Sequence, residues 1–424
     1  MTIIPRHLAS RVEHALGMSR VVNIVGPRQS GKTTLVRDLI ASTRYFTLDD
    51  DAVRAAIEAD PYGQLHLLSE ESEETGRPIV IDEVQRVPAI TLALKRIVDS
   101  NRRFGQYLLT GSSNVFTAGE AYDSLAGRVV TLTLRPLSTA EIAESSPCRL
   151  LDVVAEKSDD CLDALPRPVP VERSHVIDLM VRGGFPEIRP LSDSDRMLRY
   201  ADYLDTIVER DVAPVVPIRK PDILRRLIDQ TAARTAQELN VADLCRALGV
   251  RKETVNDYLD ILSRLGVIHR LGAWTSSGAK REIKAPKLHF MDTGCVTALR
   301  GEDSSSFDLG ADPTAFGHLL ETFVFSELEK TLPHLSKRWR LYHWRLPPHE
   351  IDIIAESPGR LMALIEIKAT THVDRRDFRH IDWFLAQGPG CSYRGVGFVV
   401  YLGEELLSFG EGRIALPLPM LWSF

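Results

Sequence analysis

The chain has 424 residues, of which 44% are hydrophobic and 26% charged, and its formal net charge is −6. This length suffices for about three domains. The acidic balance disfavours a protein that coats nucleic acid over its whole surface, although a local basic face stays open. The mean hydropathy is −0.09, and no apolar run approaches the roughly 18 residues that span a bilayer.

The N-terminus and the cysteines indicate the cellular compartment. Residues 1–10 lack a long apolar stretch followed by a cleavage site, which disfavours secretion. The cysteines are scattered and none has the spacing of a zinc site or a CxxC pair, which favours reduced thiols. They are Cys148, Cys161, Cys245, Cys295 and Cys391. We therefore expect a cytoplasmic protein without a membrane partner.

The first 145 residues have the pattern of an α/β domain. Strand-like apolar runs, among them Val21–Val25, Ile79–Ile81 and Tyr107–Leu109, alternate with helical stretches. This alternation predicts a parallel sheet covered by helices. Residues 145–172 and 301–313, which are rich in Ser, Asp, Pro or Gly, are typical of linkers or surface loops.

A P-loop motif, GxxxxGK[ST], follows the first predicted strand and precedes a helical run. Its glycines let backbone amides turn toward phosphates, and the helix N-terminus adds positive potential. Lys32 is expected to contact the β- and γ-phosphates of ATP, and Thr33 is expected to bind Mg²⁺. The predicted nucleotide-binding residues are Gly26, Pro27, Arg28, Gln29, Ser30, Gly31, Lys32, Thr33 and Thr34.

Two acidic residues end the next predicted strand. Asp82 is expected to hold Mg²⁺, and Glu83 to orient or deprotonate the attacking water. The alternative, a charged strand end that faces solvent, becomes the minority interpretation after a P-loop. A third strand, 106–110, leads into Ser112, Ser113 and Asn114, which either sense the γ-phosphate or form a serine-rich turn.

These motifs together resemble the AAA-type ATPases of bacteria and archaea that carry a C-terminal domain of unknown function. The resemblance rests on GPRQSGKTTL, IDEVQRVP at 81–88, LTGSS at 109–113, SLAGR at 124–128, LRPLS at 134–138, GGFPE at 183–187, Tyr203 and RDV at 210–212. It implies that Arg128 contacts the γ-phosphate, in the same chain or across a subunit boundary. A surface ion pair is the alternative for Arg128. Relatives of this type often assemble, so a homo-oligomer is open.

The middle of the chain is mostly helical and is predicted to contain a helical lid and a winged helix. Segments 241–250 and 253–265 form a helix–turn–helix pattern, and strands at 267–271 and 287–291 follow. One interpretation places residues 252–258 in a DNA major groove and a basic wing on phosphates. The wing residues are Lys280, Arg281 and Lys284.

A structural role is the alternative for this middle region. In that interpretation the winged helix packs on the ATPase and relays its conformational changes. The carboxylates of Glu253, Asp257 and Asp260 would repel phosphates if their helix faced the groove, whereas the basic wing argues for DNA.

The C-terminal region has the order helix, three strands, helix and strand. Asp352 stands 14 residues before Glu366, and Glu366 and Lys368 point to one face of a strand because side chains alternate. This pattern resembles the core of PD-(D/E)xK nucleases. Carried over, the helix acid Glu321 is a metal ligand together with Asp352 and Glu366, and Lys368 stabilises charge or activates water. The hairpin lacks the proline of that pattern.

Two further points stay open for this region. Glu350 is a competing metal ligand, and a lone ExK strand also occurs by chance on amphipathic edges. The expected fold class is α/β, with a P-loop NTPase domain at 1–145, a linker and lid at 146–218, a winged helix at 219–300 and a restriction-endonuclease-like domain at 314–424. The expected function is a Mg²⁺-dependent ATPase coupled to DNA binding and metal-dependent cleavage. The alternative is a nucleotide-switched protein- or DNA-binding module whose nuclease-like domain is inactive.

Overall fold

A computed structural model of the chain describes residues 3–111, 127–158, 160–212, 221–276, 284–307 and 312–424. Internal contacts group Met1–Leu137 and Arg264–Gly266 into one unit, and Ser138–Ser263 and Val267–Phe424 into a second. Among the predicted site residues, Ser112, Ser113, Asn114, Lys280 and Arg281 lie outside the described ranges.

The first unit is built on a five-stranded sheet with the order β2-β3-β4-β1-β5, in which every described pair is parallel. The strands are β1 (Val21–Val25), β2 (Arg44–Thr47), β3 (Ile79–Asp82), β4 (Tyr107–Gly111) and β5 (Val129–Thr133). The predicted parallel sheet is thus confirmed, and its central strands β1, β3 and β4 are buried between the helices on its two faces, whereas the edge strands β2 and β5 are partly exposed.

Two apolar cores lie on the opposite faces of this sheet. Val22 and Ile24 of β1 pack in one core, and Val21 packs in the other, as alternation along a strand requires. The helices are α1 (Leu8–Leu16), α2 (Lys32–Thr34, continued by a π-helical turn at Leu35–Leu39), α3 (Asp51–Ala59), α4 (Pro61–Thr75) and α5 (Ile90–Ser100), with a 3₁₀ turn at Val84–Arg86.

The second unit contains a small antiparallel sheet and a larger mixed one. The small sheet has the order β6-β8-β7, and the larger has the order β13-β14-β12-β11-β10-β9. The strands are β6 (Gln237–Glu238), β7 (Ile268–Leu271), β8 (Lys287–Phe290), β9 (Arg340–Leu346), β10 (His349–Ser357), β11 (Leu361–Lys368), β12 (Arg394–Tyr401), β13 (Leu407–Ser408) and β14 (Arg413–Pro417).

Helices surround both sheets of the second unit. They are α6 (Thr139–Ile142), α7 (Leu150–Glu156), α8 (Cys161–Ala164), α9 (Arg173–Arg182), α10 (Asp193–Thr206, continued by a π-helical turn at Ile207–Val212), α11 (Pro221–Ala232), α12 (Val241–Leu248), α13 (Lys252–Arg264), α14 (Thr293–Arg300), α15 (Pro313–Thr331) and α16 (Arg379–Ala386). Turns of 3₁₀ helix lie at Ser304–Phe307, Leu332–His334, Arg375–Phe378 and Leu418–Leu421.

The middle and C-terminal segments of the second unit share contacts. Trp274 is fully buried in the core of the larger sheet, where its ring meets Phe384 and Tyr393 edge-on. Ala273 forms a parallel bridge with His343 of β9. The segment that follows β7 is therefore part of the C-terminal core.

The described residues can be compared with two predictions, those about membrane-spanning segments and about the cysteines. None of the described helices combines the length and apolar character needed to cross a bilayer. All five cysteines lie in described ranges and carry free thiols.

Candidate functional site

The P-loop connects the end of β1 to α2. Gly26 has a φ of +156° and a Cβ atom there would collide with the carbonyl oxygen of Leu134, so only glycine fits. Gly31 has a φ of +93°, and Gln29 has a φ of +59°. The Nζ of buried Lys32 donates hydrogen bonds to the carbonyl oxygens of Gly26, at 3.0 Å, and Pro27, at 2.9 Å. The ammonium group thus lies within the loop that is predicted to bind phosphates.

Asp82 at the end of β3 is the most buried charged group of this site, at 2% exposure. Its Oδ2 accepts hydrogen bonds from the hydroxyl groups of Thr33 and Tyr45, each at 2.8 Å. Its Oδ1 accepts from Thr110 of β4 and from the backbone N–H of Glu83, the latter at 3.1 Å. The structure therefore brings together Thr33 and Asp82, the two residues predicted to bind Mg²⁺ beside the P-loop.

Tyr45 of β2 is a part of this site that the sequence pattern did not indicate. Burial, reinforced by the neighbouring Asp82, raises the pKa of Tyr45 above its ordinary value, so that the hydroxyl stays protonated and donates. Tyrosine is common in strands because of its strand propensity, so its presence in β2 gave no indication of a special role. Only the pairing of Tyr45 with Val80, two residues before Asp82, reveals its role.

Glu83 follows Asp82 in a left-handed backbone conformation, with a φ of +59°. Its Oε2 accepts a hydrogen bond from the side-chain amide of Gln85. A non-glycine residue in this conformation costs about 1–3 kcal/mol, and such strain persists where the surrounding structure fixes it. Glu83 is half-buried, and the turn at this residue ends β3.

Arg6 is a second residue of this unit that the sequence pattern missed. Its guanidinium donates one hydrogen bond to the carbonyl oxygen of Ser30 and one to that of Arg135, both at 2.6 Å. Arg6 is 8% exposed. It therefore ties the P-loop to the segment that follows β5, through a contact of high sequence separation.

Arg128 lies near the end of the strands that is opposite to the P-loop. The neighbouring Val129 pairs with Val21 at the start of β1, whereas the P-loop follows Val25. Five residues of strand correspond to about 16 Å. Arg128 forms a bidentate ion pair with Asp99, at 2.5 and 3.1 Å. A same-chain contact of Arg128 with the γ-phosphate therefore stays a prediction, which the position of Val129 at the start of β5 does not favour. The alternative, an ion pair, is observed, and a contact across a subunit boundary stays a prediction.

The predicted carboxylates of the C-terminal region converge on a lysine. Ile353 of β10 pairs with Ile365 of β11, and the backbone N–H of Ile367 donates to Asp352 Oδ2 at 2.9 Å. The Nζ of Lys287 lies 2.8 Å from Glu321, 3.1 Å from Glu350 and 3.6 Å from Asp352. We call these four residues the carboxyl–lysine cluster. Lys287 belongs to β8, outside the segment in which the nuclease-like pattern was found.

The electrostatics of the carboxyl–lysine cluster follow from burial and proximity. Burial alone would lower the pKa of Lys287, but Glu321, Asp352 and Glu350 raise it above its ordinary value. Burial raises the pKa of Glu321 to about 8, against the opposing effect of the Lys287 ammonium. Lys287 therefore keeps its charge over the whole physiological range.

Glu366 and Lys368 lie next to this cluster on β11. Their side chains share a face, as predicted, and Lys368 Nζ lies 3.9 Å from Glu366 Oε2. Glu366 is 4% exposed, and its Oε1 has no hydrogen-bond partner among the described residues. Burial, followed by the charge of Asp352, raises the pKa of Glu366 well above its ordinary value. No set of three or more His, Cys, Asp or Glu residues in the described ranges is arranged to hold a metal ion.

A groove of about 1330 Å³ opens beside the carboxyl–lysine cluster. Lys252, at the start of α13, and Lys284, before β8, line this groove together with Lys287 and Glu350. Arg345 of β9 also lines it and forms ion pairs with Glu238 and Glu350. Two lysines of the predicted DNA-binding segments thus share one groove with Lys287 and Glu350 of the carboxyl–lysine cluster.

Comparisons with known proteins identify three regions. Residues 18–143 match an AAA domain, residues 173–306 match a domain of unknown function (DUF8612), and residues 316–421 match another domain of unknown function (DUF4143). Together with the P-loop geometry, the first match identifies an AAA-type P-loop ATPase domain. This confirms the predicted AAA-type domain in the first part of the chain.

Related sequences and structures cover most of the chain. The chain is 31% identical, over 98% of its length and 84% of theirs, to the uncharacterized proteins Rv2008c of Mycobacterium tuberculosis and Mb2031c of Mycobacterium bovis. The Walker-type ATPase PABY2304 of Pyrococcus abyssi aligns with 70% of this chain and 96% of its own, at 14% identity and a TM-score of 0.44. The Aeropyrum pernix ORC1 protein, solved in complex with DNA, aligns with 72% and 95%, at 14% identity and a TM-score of 0.25. The chain belongs to the family of Rv2008c and Mb2031c.

The hydrogen bond from Tyr45 to Asp82 predicts a kinetic effect. We expect Tyr45→Phe to lower the kcat for ATP about fivefold, because one hydrogen bond of about 1 kcal/mol no longer orients the carboxylate. Nucleotide affinity should stay within about twofold. Tyr62→Phe, on α4, is the matched control. Steady-state ATP turnover measures both variants, and an unchanged kcat in Tyr45→Phe would show that the hydroxyl has no part in positioning Asp82.

Proposed function

We propose that this member of the Rv2008c family binds ATP with Mg²⁺ at the P-loop, hydrolyses the nucleotide and uses its nucleotide state to control contacts with DNA. The observation that carries the first part is the 2.8 Å hydrogen bond between Thr33 and Asp82, beside the ammonium of Lys32. A hydroxyl and a carboxylate oxygen are ligands that fit Mg²⁺, which supplies positive charge to the triphosphate when it is bound.

The remaining chemistry falls to the residues of the chain. Lys32 would exchange its two carbonyl partners for the β- and γ-phosphate oxygens of ATP, which carry full negative charge. Glu83 would accept the proton of the attacking water, because it lies directly after Asp82 and carries a carboxylate. Arg6 would act as a positioning residue, since it holds the backbone of Ser30 from outside the loop.

The DNA part of the proposal rests on the middle region and the groove. Helices α11, α12 and α13 with strands β6, β7 and β8 have the order of a winged helix, in which α13 would be the recognition helix. Lys252 and Lys284 are exposed and line the groove. Exposed Glu253 and Asp257 on α13 oppose phosphate binding, so the contact would involve the start of the helix and not its full length.

A second candidate is a nucleotide-switched module whose nuclease-like domain does not cleave. The order of α15, β9, β10, β11, α16 and β12 supports a PD-(D/E)xK-like fold for the C-terminal region. The ammonium of Lys287 between Glu321 and Asp352 favours an inactive centre over an active one, because it lies against two of the predicted metal ligands. Fold alone carries no activity.

ATP hydrolysis is tested with two variants of the nucleotide site. Lys32→Ala should lower turnover at least about 100-fold through the loss of charge at the phosphates, and Glu83→Gln should preserve binding while it slows hydrolysis by about 100-fold or more. Lys95→Ala and Glu58→Gln, in the same unit, are the matched controls. The readouts are phosphate release and binding of a fluorescent ATP analogue. Unchanged turnover in both site variants would place hydrolysis elsewhere.

DNA binding is tested through its dependence on salt. Each phosphate contact contributes about −0.9 to the slope of log K against log salt concentration for duplex DNA. The double variant Lys252→Ala/Lys284→Ala should therefore flatten the slope by about 2, whereas Lys157→Ala, outside the groove, should not. Fluorescence anisotropy of a labelled duplex in the presence of ATP or ADP gives the slopes. Binding that ignores salt, or equal slopes in all three proteins, would contradict a phosphate contact in the groove.

A cleavage assay distinguishes the active nuclease centre that the sequence pattern predicted from the second candidate, in which the C-terminal region does not cleave. With plasmid or single-stranded DNA and Mg²⁺ or Mn²⁺, we expect no metal-dependent cleavage by the wild type, Asp352→Ala or Glu366→Ala. Gel electrophoresis over time is the measurement. Cleavage by the wild type that both substitutions abolish would establish an active nuclease centre and refute the second candidate.

A further inference from the structure

Lys287 of the carboxyl–lysine cluster belongs to β8, the central strand of the small sheet. Its side chain is 3% exposed and meets one carboxyl group each from α15 and β10 at 3.1 Å or less. In the backbone, Lys287 pairs with Glu238 of β6 on one side and with Leu271 of β7 on the other. Because β8 is the central strand of its sheet, the ammonium is held at a fixed position in the fold.

The geometry matches an ammonium ion in number as well as in charge. A lysine ammonium has three N–H donors, and three carboxyl groups, those of Glu321, Glu350 and Asp352, lie within 3.6 Å of Nζ. The second oxygen of Asp352 is already engaged by the backbone N–H of Ile367 at 2.9 Å. Glu321 and Asp352, two of the predicted metal ligands, are therefore already engaged by Lys287 or by the backbone of the chain itself.

A divalent metal does not fit the same residues. In a PD-(D/E)xK-like centre, Glu321, Asp352 and Glu366 would have to approach Mg²⁺ to about 2.0–2.1 Å. A cation between Glu321 and Asp352 would lie within a few ångströms of the buried Lys287 ammonium, and the two positive charges would repel each other. Lys287 cannot leave without losing its ion pairs in a buried site.

Glu366 is the one predicted metal ligand that Lys287 does not contact within 4 Å among the ion pairs of the described residues. Lys368 at 3.9 Å supplies a further positive charge on the same face. The charges around Glu366 are thus balanced by groups of the protein.

We propose that Lys287 is the resident cation of the C-terminal carboxyl cluster, and that this cluster as folded takes no divalent metal. The lysine joins the small sheet to the C-terminal fold through ion pairs at the position where a nuclease of similar fold would hold its metal. This inference rests on the proposed nuclease-like fold of the C-terminal region and extends it to the identity of the cation.

The test is a titration of the full chain with Mn²⁺ in the absence of nucleotide, followed by electron paramagnetic resonance of the free ion. The wild type and Asp352→Asn should bind the same number of Mn²⁺ ions with the same affinity. Lys287→Met should gain one Mn²⁺ site that the wild type lacks, because removal of the ammonium frees the carboxyl groups to bind the metal. The double variant Lys287→Met/Asp352→Asn should lose that site, and Lys157→Met is the matched control.

Two outcomes would overturn the inference. One is a Mn²⁺ site in the wild type that Asp352→Asn abolishes, a comparison that does not require the Lys287 variant to fold. The other is a folded Lys287→Met protein, verified by circular dichroism, that binds no more Mn²⁺ than the wild type. Neither readout involves ATP turnover or DNA, so a failure here is distinguishable from a failure of the proposed ATPase or of its DNA contacts.

Discussion

A charged side chain that leaves water needs an opposite charge or a full set of hydrogen bonds, and both polar centres of this chain depend on that constraint. In the first unit, Asp82 meets it with four donors, from Thr33, Tyr45, Thr110 and the backbone of Glu83. In the second unit, the buried charge is a cation, and three carboxyl groups surround it. The two centres therefore obey the same constraint with opposite signs: in one a buried carboxylate is surrounded by hydrogen-bond donors, and in the other a buried ammonium is surrounded by carboxyl groups.

Local patterns in the sequence were sufficient for the parts of the molecule that are local in space. The P-loop, the strand before it and the strand that ends in Asp82 are each specified by a few consecutive residues, and the structure has them where they were predicted. The hairpin of β10 and β11 was predicted for the same reason, since its two strands are adjacent in the chain and alternate in polarity. Periodicity and motif spacing report such features directly.

Contacts between distant segments were beyond the reach of these patterns. Tyr45 lies 37 residues from Asp82, Arg6 lies 129 residues from Arg135, and Lys287 lies 34 residues before Glu321. Arg128 was assigned to the phosphate site by its place in a motif, yet the direction of β5 puts it near the end of the strands that is opposite to the P-loop. Strand direction and register decided the positions of Tyr45, Lys287 and Arg128, and the contact of Arg6 depends on the packing of two distant segments, all of which only the folded chain supplies.

The segment 267–290 also determines which fragments of this protein retain an intact C-terminal core. It contributes Trp274, which fills the core of the C-terminal sheet, and Lys287, which neutralises the carboxyl groups of α15 and β10. A fragment excised at the start of α15 would leave both behind, with a void where the indole packed and acidic groups without their counter-ion. Such a truncation would unmask acids that the intact polypeptide keeps covered, and any affinity for metal or nucleic acid found in it would belong to the fragment.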